Sequence, residues 1–200
     1  MLQHLVHWPE QRQNDSPWWI WFVEQKECVG EEFDFDIPNG YGLIVDGEEA
    51  SVEMIGVSVK ECEGSALFAR SSASVKATQC EFSENKHIGV RMNGGAKGFF
   101  TDSTIHHNGA HGVFAHGEGT LAKLRGEQTE MHHNTLDGLS ACSSATINIY
   151  IPSRSITALV HDNGSDLNTD IGGKILQLSS SSLELTVIHP VPPVDDEADY

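Results

Sequence analysis

The chain repeats itself. Setting residues 73–95 (ASVKATQCEFSENKHIGVRMNGG) over residues 96–118 (AKGFFTDSTIHHNGAHGVFAHGE) places Phe82 over Ile105, Asn85 over Asn108, Gly89-Val90 over Gly112-Val113 and Met92 over Ala115, at an offset of 23 residues. A fixed period of this size is the mark of a stacked repeat and restricts the fold more tightly than composition can. The preceding stretch fits at the same offset, with Val57 under Cys80, Val59 under Phe82, Ala66-Leu67 under Gly89-Val90 and Ala69 under Met92. The following stretch fits after a three-residue insertion, at 26, with Met131, Asn134, Gly138-Leu139 and Ala141 in register. Fainter copies lie outside these: Gly42-Leu43-Ile44-Val45 one unit earlier, and Val160-His161-Asp162-Asn163 one unit later.

Each unit consists of short segments with period-2 alternation, separated by Gly, Asn and Ser. No helix of ten residues fits between them. Parallel strands ordinarily need a long, usually helical, crossover. A unit of strands and turns alone meets that need by coiling, each turn of chain stacking on the last as a parallel β-helix. Like residues then lie over like residues at about 4.8 Å, and about six coils make a rod roughly 30 Å long. Val59/Phe82/Ile105/Met131, Leu67/Val90/Val113/Leu139 and Ala69/Met92/Ala115/Ala141 are apolar in every coil and point inward. Ala66/Gly89/Gly112/Gly138 is always small, as a tight turn into a strand requires. Asn85, Asn108 and Asn134 are expected at the turn, in left-handed backbone and with their amides in a hydrogen-bonded ladder. Cys62 takes that column one coil earlier as a small buried residue.

The recurring (I/F/M)-x-x-N followed by G-(V/L)-x-(A/M) resembles the right-handed parallel β-helix repeat superfamily, the pectate-lyase-like fold, over roughly residues 40–180. Within it the chain looks most like non-enzymatic repeat proteins, such as the β-helix domain of certain F-box proteins and similar hypothetical proteins of unicellular algae. The resemblance implies an all-β, single-stranded right-handed parallel β-helix of about six coils of ~23 residues. It does not fix an activity, because the fold hosts lyases, hydrolases, epimerases, phage tailspikes and plain binding modules. The expected organisation is an N-terminal cap segment over 1–30, the β-helix over 31–190 and a disordered acidic tail over 191–200. Trp18, Trp19 and Trp21 belong to the cap, residues 175–188 alternate like closing strands, and PVPPVDDEADY forms the tail.

The net charge of −17 is concentrated at the ends, with fourteen acids in residues 1–63 and eight in 161–200. Such a chain is a poor fit for nucleic acid or an anionic membrane. No run of 18 apolar residues and no signal-peptide pattern is visible, and the four cysteines lack metal-like or CxxC spacing. These features point to a cytoplasmic protein with reduced thiols and no cofactor.

Three candidate sites follow from the coil register. The first is the histidine column. Since Ile105 points in, His106 points out, with His132 and His161 in the coils beyond and Ser83 below; the adjacent column reads Glu84/His107/His133/Asp162. Imidazoles one coil apart could share Zn²⁺ or Ni²⁺, although stacked side chains form a line whereas zinc prefers a tetrahedron. The second is a polysaccharide lyase or hydrolase site, which needs paired carboxylates or an acidic Ca²⁺ cluster. The outward residues Phe68, Arg70, Arg91, Asn93, Phe114, His116, Ser140 and Cys142 include no acid. Asn168-Thr169-Asp170 and Ala115-His116-Gly117 resemble polygalacturonase motifs but occur in the wrong order. No G-x-S-x-G elbow supports a nucleophilic triad. The third is a binding face of Phe68, Arg70, Arg91, Asn93, Phe114 and His116, in which Arg91 lies between two outward aromatics. The expected function is therefore a non-enzymatic scaffold or interaction module for a protein partner. The alternative is a carbohydrate-active or glycan-binding protein.

Overall fold

The computed structural model describes residues 40–151, 153–178 and 185–187. The expected N-terminal cap and acidic tail fall outside them. Three parallel sheets run the length of a solenoid. Sheet A stacks β1 (Leu43–Asp46), β4 (Leu67–Arg70), β7 (Val90–Asn93), β10 (Val113–His116), β13 (Asp137–Cys142) and β16 (Ser165–Asp170) in that order. Sheet B stacks β2 (Ser51–Ile55), β5 (Ser74–Thr78), β8 (Lys97–Thr101), β11 (Leu121–Arg125), β14 (Thr146–Tyr150) and β17 (Lys174–Leu178). Sheet C stacks β3 (Ser58–Lys60), β6 (Glu81–Ser83), β9 (Thr104–His106), β12 (Glu130–His132) and β15 (Val160–His161). The solenoid has about six coils, each with one strand per sheet except where a sheet ends. β18 (Leu185–Val187) pairs antiparallel with β17 and covers that end of sheet B.

The register is the one the repeat predicts: Leu67 pairs with Val90, Val90 with Val113 and Val113 with Leu139, while Phe82 pairs with Ile105 and Ile105 with Met131. All of these are fully buried in one continuous core. Sheet B contributes an equal share through Val75, Ala77, Phe100, Ala122, Leu124, Ile147 and Ile149.

Two turn assignments differ from expectation. Gly89, Gly112 and Gly138 do not occupy left-handed backbone; they are small because the interior is full. A Cβ on Gly112 would lie 2.6 Å from the Gly138 carbonyl oxygen and 2.9 Å from Asn134 Nδ2. At this turn the left-handed residues are Glu84, His107, His133 and Asp162, each just before an asparagine, and Glu61 just before Cys62, with φ of 58°, 54°, 55°, 55° and 57°. The asparagines themselves turn inward and form the expected ladder. Asn85 Nδ2 donates to Asn108 Oδ1 (2.8 Å), Asn108 to Asn134 (2.9 Å) and Asn134 to Asn163 (2.9 Å). Below them the Cys62 amide donates to Asn85 Oδ1 at 3.0 Å.

The final insertion of the repeat holds a one-turn helix, α1 (Ile156–Leu159), which the period did not reveal. Its N-cap Ser155 accepts from the Ala158 amide, and Leu159 is buried.

Candidate functional site

Two outward surfaces gather chemistry. The first is the outer face of sheet A. Because β4, β7 and β10 pair in register, Phe68, Arg91 and Phe114 lie in one column, as the repeat requires. Their environments differ. Phe68 is only 7% exposed, so it is not the open aromatic expected from its outward register. Tyr41 stacks on it (5.4 Å between centroids), and the guanidinium carbons of Arg91 and Arg70 stand 4.8 and 5.5 Å from its centroid. A large apolar ring on an outer face is covered most readily by groups that are flat and weakly hydrated, which describes both tyrosine and arginine. Arg91 reaches Tyr41 Oη at 3.5 Å, while its Nε, although buried, has no hydrogen-bond partner among the described residues. Arg70 pairs with Asp46 at 2.6 Å. Phe114 is half-buried between His111 (5.1 Å) and His116 (6.1 Å), and Asn93 pairs in register with His116.

The face holds four further residues, Tyr41, His111, Asp137 and Asn168, of which the sequence singled out only Asn168, within the tripeptide Asn168-Thr169-Asp170. Tyr41, His111 and Asp137 lie two positions before the inward Leu43, Val113 and Leu139, so alternation alone assigns them to the interior; it breaks at the intervening Gly42, Gly112 and Gly138, where a Cβ would meet interior groups, and the period could not find them. Asp137 Oδ2 accepts from His111 Nδ1 (2.9 Å) and from Asn168 Nδ2 (3.1 Å). Burial pushes the Asp137 carboxyl up, but the hydrogen bonds from His111 and Asn168, the attraction of His111 and a contact with Ser140 outweigh it and hold its pKa below the usual value. The Ser140 hydroxyl is engaged by Asn168 (3.3 Å) and lies 3.7 Å from Cys142 Sγ. The His–Asp pair therefore orients an imidazole without an attached serine, and Asp137 is held by its two donors. Neither a nucleophilic triad nor a pair of free carboxylates is formed on this face among the described residues.

The second surface is the turn between sheets C and A. In a strand His106 and His107 would point to opposite faces. The left-handed φ of His107 swings its ring to the side of His106, and the rings meet at 86° with Nδ1 atoms 2.8 Å apart. His132 and His133 repeat the pair at 2.9 Å, and His106 and His132 stack at 4.8 Å with an interplanar angle of 3°. His161 stacks on His132 at 5.4 Å, but its Nδ1 lies 2.8 Å from Asp162 Oδ2. The close set is therefore His106, His107 and His132, whose ligand atoms all lie within 4.8 Å of one another. His107, from the adjacent column, takes the place of His161 in the set of three. Burial lowers the pKa of His106; the charge of Glu81 opposes this and His107 adds to it. His132 is lowered by burial and then by His106, His133 and His161.

The chain matches the family described as "Right handed beta helix region" over residues 41–169, well over half its length. It belongs to that family. No curated protein matches it, and no solved structure does. As a β-helix, the chain is a rigid stack whose outward residues form rows at the strand spacing, and family membership alone does not distinguish scaffold from enzyme. Among the described residues no helix is long and apolar enough to cross a membrane.

Proposed function

We propose that this β-helix is a non-enzymatic interaction module, and that the outer face of sheet A holds a protein partner. The observation that carries this reading is the row Phe68–Arg91–Phe114. Arg91 stands between two aromatic side chains, and its Nε has no hydrogen-bond partner among the described residues. No acid shares that column, which continues through Ile44, Ser140 and Asn168. An acidic or aromatic partner segment fits such a row, because a guanidinium already stacked on a ring loses little hydration on burial. Arg and aromatic anchors of this kind cost about 2 kcal/mol or more when truncated.

The test compares affinity capture from the native cell by the wild-type chain, Arg91→Ala and Phe114→Ala, each checked for folding by circular dichroism. One protein recovered by the wild type and reduced at least tenfold by both variants supports the reading. Equal recovery by all three places the contact elsewhere. A glycan array run on the same proteins covers the carbohydrate reading, which the half-buried Phe114 beside the His111–Asp137 pair also suits. Saturable glycan binding lost in Phe114→Ala would replace the protein partner with a sugar.

A further inference from the structure

We propose that His106, His107 and His132 form a binding site for a divalent transition-metal ion of the zinc or nickel class, independent of the sheet A face. Three observations converge. First, the Nδ1 atoms of His106 and His107 are 2.8 Å apart. The two nitrogens share a hydrogen bond whose proton a divalent ion would replace: ligands at about 2.0–2.1 Å from one ion are about 2.9 Å apart at the right angle of an octahedral ion and about 3.3 Å apart at the tetrahedral angle of zinc. The pair is thus spaced for an octahedral ion as it stands, and for zinc once the rings part by about half an ångström.

Second, the tautomer of His106 is fixed from behind. Its Nε2 lies 3.2 Å from Glu81 Oε1. Glu81 is itself held by Ser58 Oγ and Ser83 Oγ, both at 3.0 Å. A carboxylate can only accept, so Nε2 bears the proton and Nδ1 keeps its lone pair, aimed at His107. A carboxylate orienting the far nitrogen of a ligating imidazole is the usual outer shell of a protein metal site. Third, the ligands are not collinear. Rings stacked coil on coil form a line that suits no tetrahedral ion. The left-handed turn at His107 takes one imidazole out of that line at 86° to His106, and His132 supplies a third donor from the next coil. The His132 ring is only partly buried, and in the proposed site it turns to bring that nitrogen in, exchanging its contact with His133 Nδ1 (2.9 Å) for the ion. Imidazole nitrogen suits Zn²⁺, Ni²⁺ and Cu²⁺, and excludes Ca²⁺ and Mg²⁺ as preferred ions.

The test is isothermal titration calorimetry of the full chain with ZnCl₂, NiCl₂ and MgCl₂ near neutral pH, with ¹⁵N spectra of the imidazoles recorded on the wild type. The expected result is saturable binding of one Zn²⁺ or Ni²⁺, no response to Mg²⁺, and a shift confined to the Nδ1 resonances of His106 and His107 and to His132. His107→Asn keeps a residue that tolerates the left-handed turn, and it should weaken binding at least tenfold, as should His106→Ala. Glu81→Gln should weaken it about tenfold through the orienting bond alone. No saturable heat up to about 100 µM metal, or binding that persists unchanged in His106→Ala and His107→Asn, overturns the proposal. If a variant misfolds, the wild-type spectra decide: shifts at other histidines without shifts at these three also overturn it.

Discussion

Asp137 illustrates how one residue couples the coils and makes stability depend on pH. Its carboxylate accepts from His111 one coil below and from Asn168 one coil above, so it ties three coils on the outer face of sheet A. Its folded-state pKa is held below the ordinary value. A carboxylate of this kind adds stability that is fully present above its unfolded pKa of about 3.9 and drains away as the pH falls toward the folded value. Asp137→Asn is therefore expected to destabilise the protein by about 1.5–3 kcal/mol at pH 7, the range for a hydrogen bond to a charged group. The difference from wild type should begin to shrink as the pH drops below about 4, where the unfolded side chain takes up a proton, and be lost as the pH falls through the lowered folded-state value. Urea denaturation midpoints at pH 7 and pH 3 check both halves. A gap that persists unchanged at pH 3 would mean that shape rather than charge matters at this position.

Among the elements, the strands of sheets A and C were legible in the sequence, whereas those of sheet B were not, apart from β17 and β18 in the alternating stretch 175–188. The inward positions of sheets A and C repeat their residue type, so the 23-residue period exposes them. Sheet B fills the same core by exchanging volume between coils. Phe100 pairs in register with Ala77 on one side and Leu124 on the other. Its ring lies against Gly98 in its own strand, where a Cβ would come within 2.6 Å of it. Gly98 in turn occupies a column with Val75 and Ala122. Columns whose side-chain volume changes from coil to coil, as in Met54/Ala77/Phe100/Leu124/Ile149 and Val52/Val75/Gly98/Ala122/Ile147, hide the repeat. The histidine site was half legible for a related reason. Period gave the stack of His106 on His132, but the convergence of His107 depends on a left-handed turn that the sequence reading had assigned to the asparagine. That asparagine matters differently. Asn108 donates to Asn134 Oδ1 and the Phe82 carbonyl (3.1 Å), and accepts from the Asn85 amide (3.2 Å) and side chain. Asn108→Ala strands these groups in a dry interior and is expected to cost about 2–4 kcal/mol. That is several times the effect of removing the exposed Lys76–Glu53 pair between β5 and β2, an ion pair worth at most about 1 kcal/mol. Equilibrium unfolding of Asn108→Ala beside Lys76→Ala tests the ranking, and equal losses would show that the ladder is ornamental.

For the whole molecule, a solenoid makes stability a sum over neighbouring coils, because each coil touches only the one before and the one after. A central coil is held on both sides and an end coil on one. The middle of the rod is also the best filled: Phe82, Phe100, Ile105, Leu124 and Met131 are fully buried. At the C-terminal end of sheet A, β16 has no fully buried residue, and Leu167 alone packs partly against the core. It is the last strand of its sheet, paired only with β13 among the described residues. Sheet B at the same end is better protected, since β17 is flanked by β14 and by the antiparallel β18. Native-state hydrogen exchange should therefore show a gradient along the rod. Amides of β8, β10 and β11 should exchange only through global unfolding, and those of β16 through a local opening of lower free energy. Within the last coil, β17 should exchange more slowly than β16, although the two strands are only four residues apart in sequence. Exchange of β16 as slow as that of β10 would mean that the coils unfold as one unit, and that nearest-neighbour stacking does not set the stability of this protein.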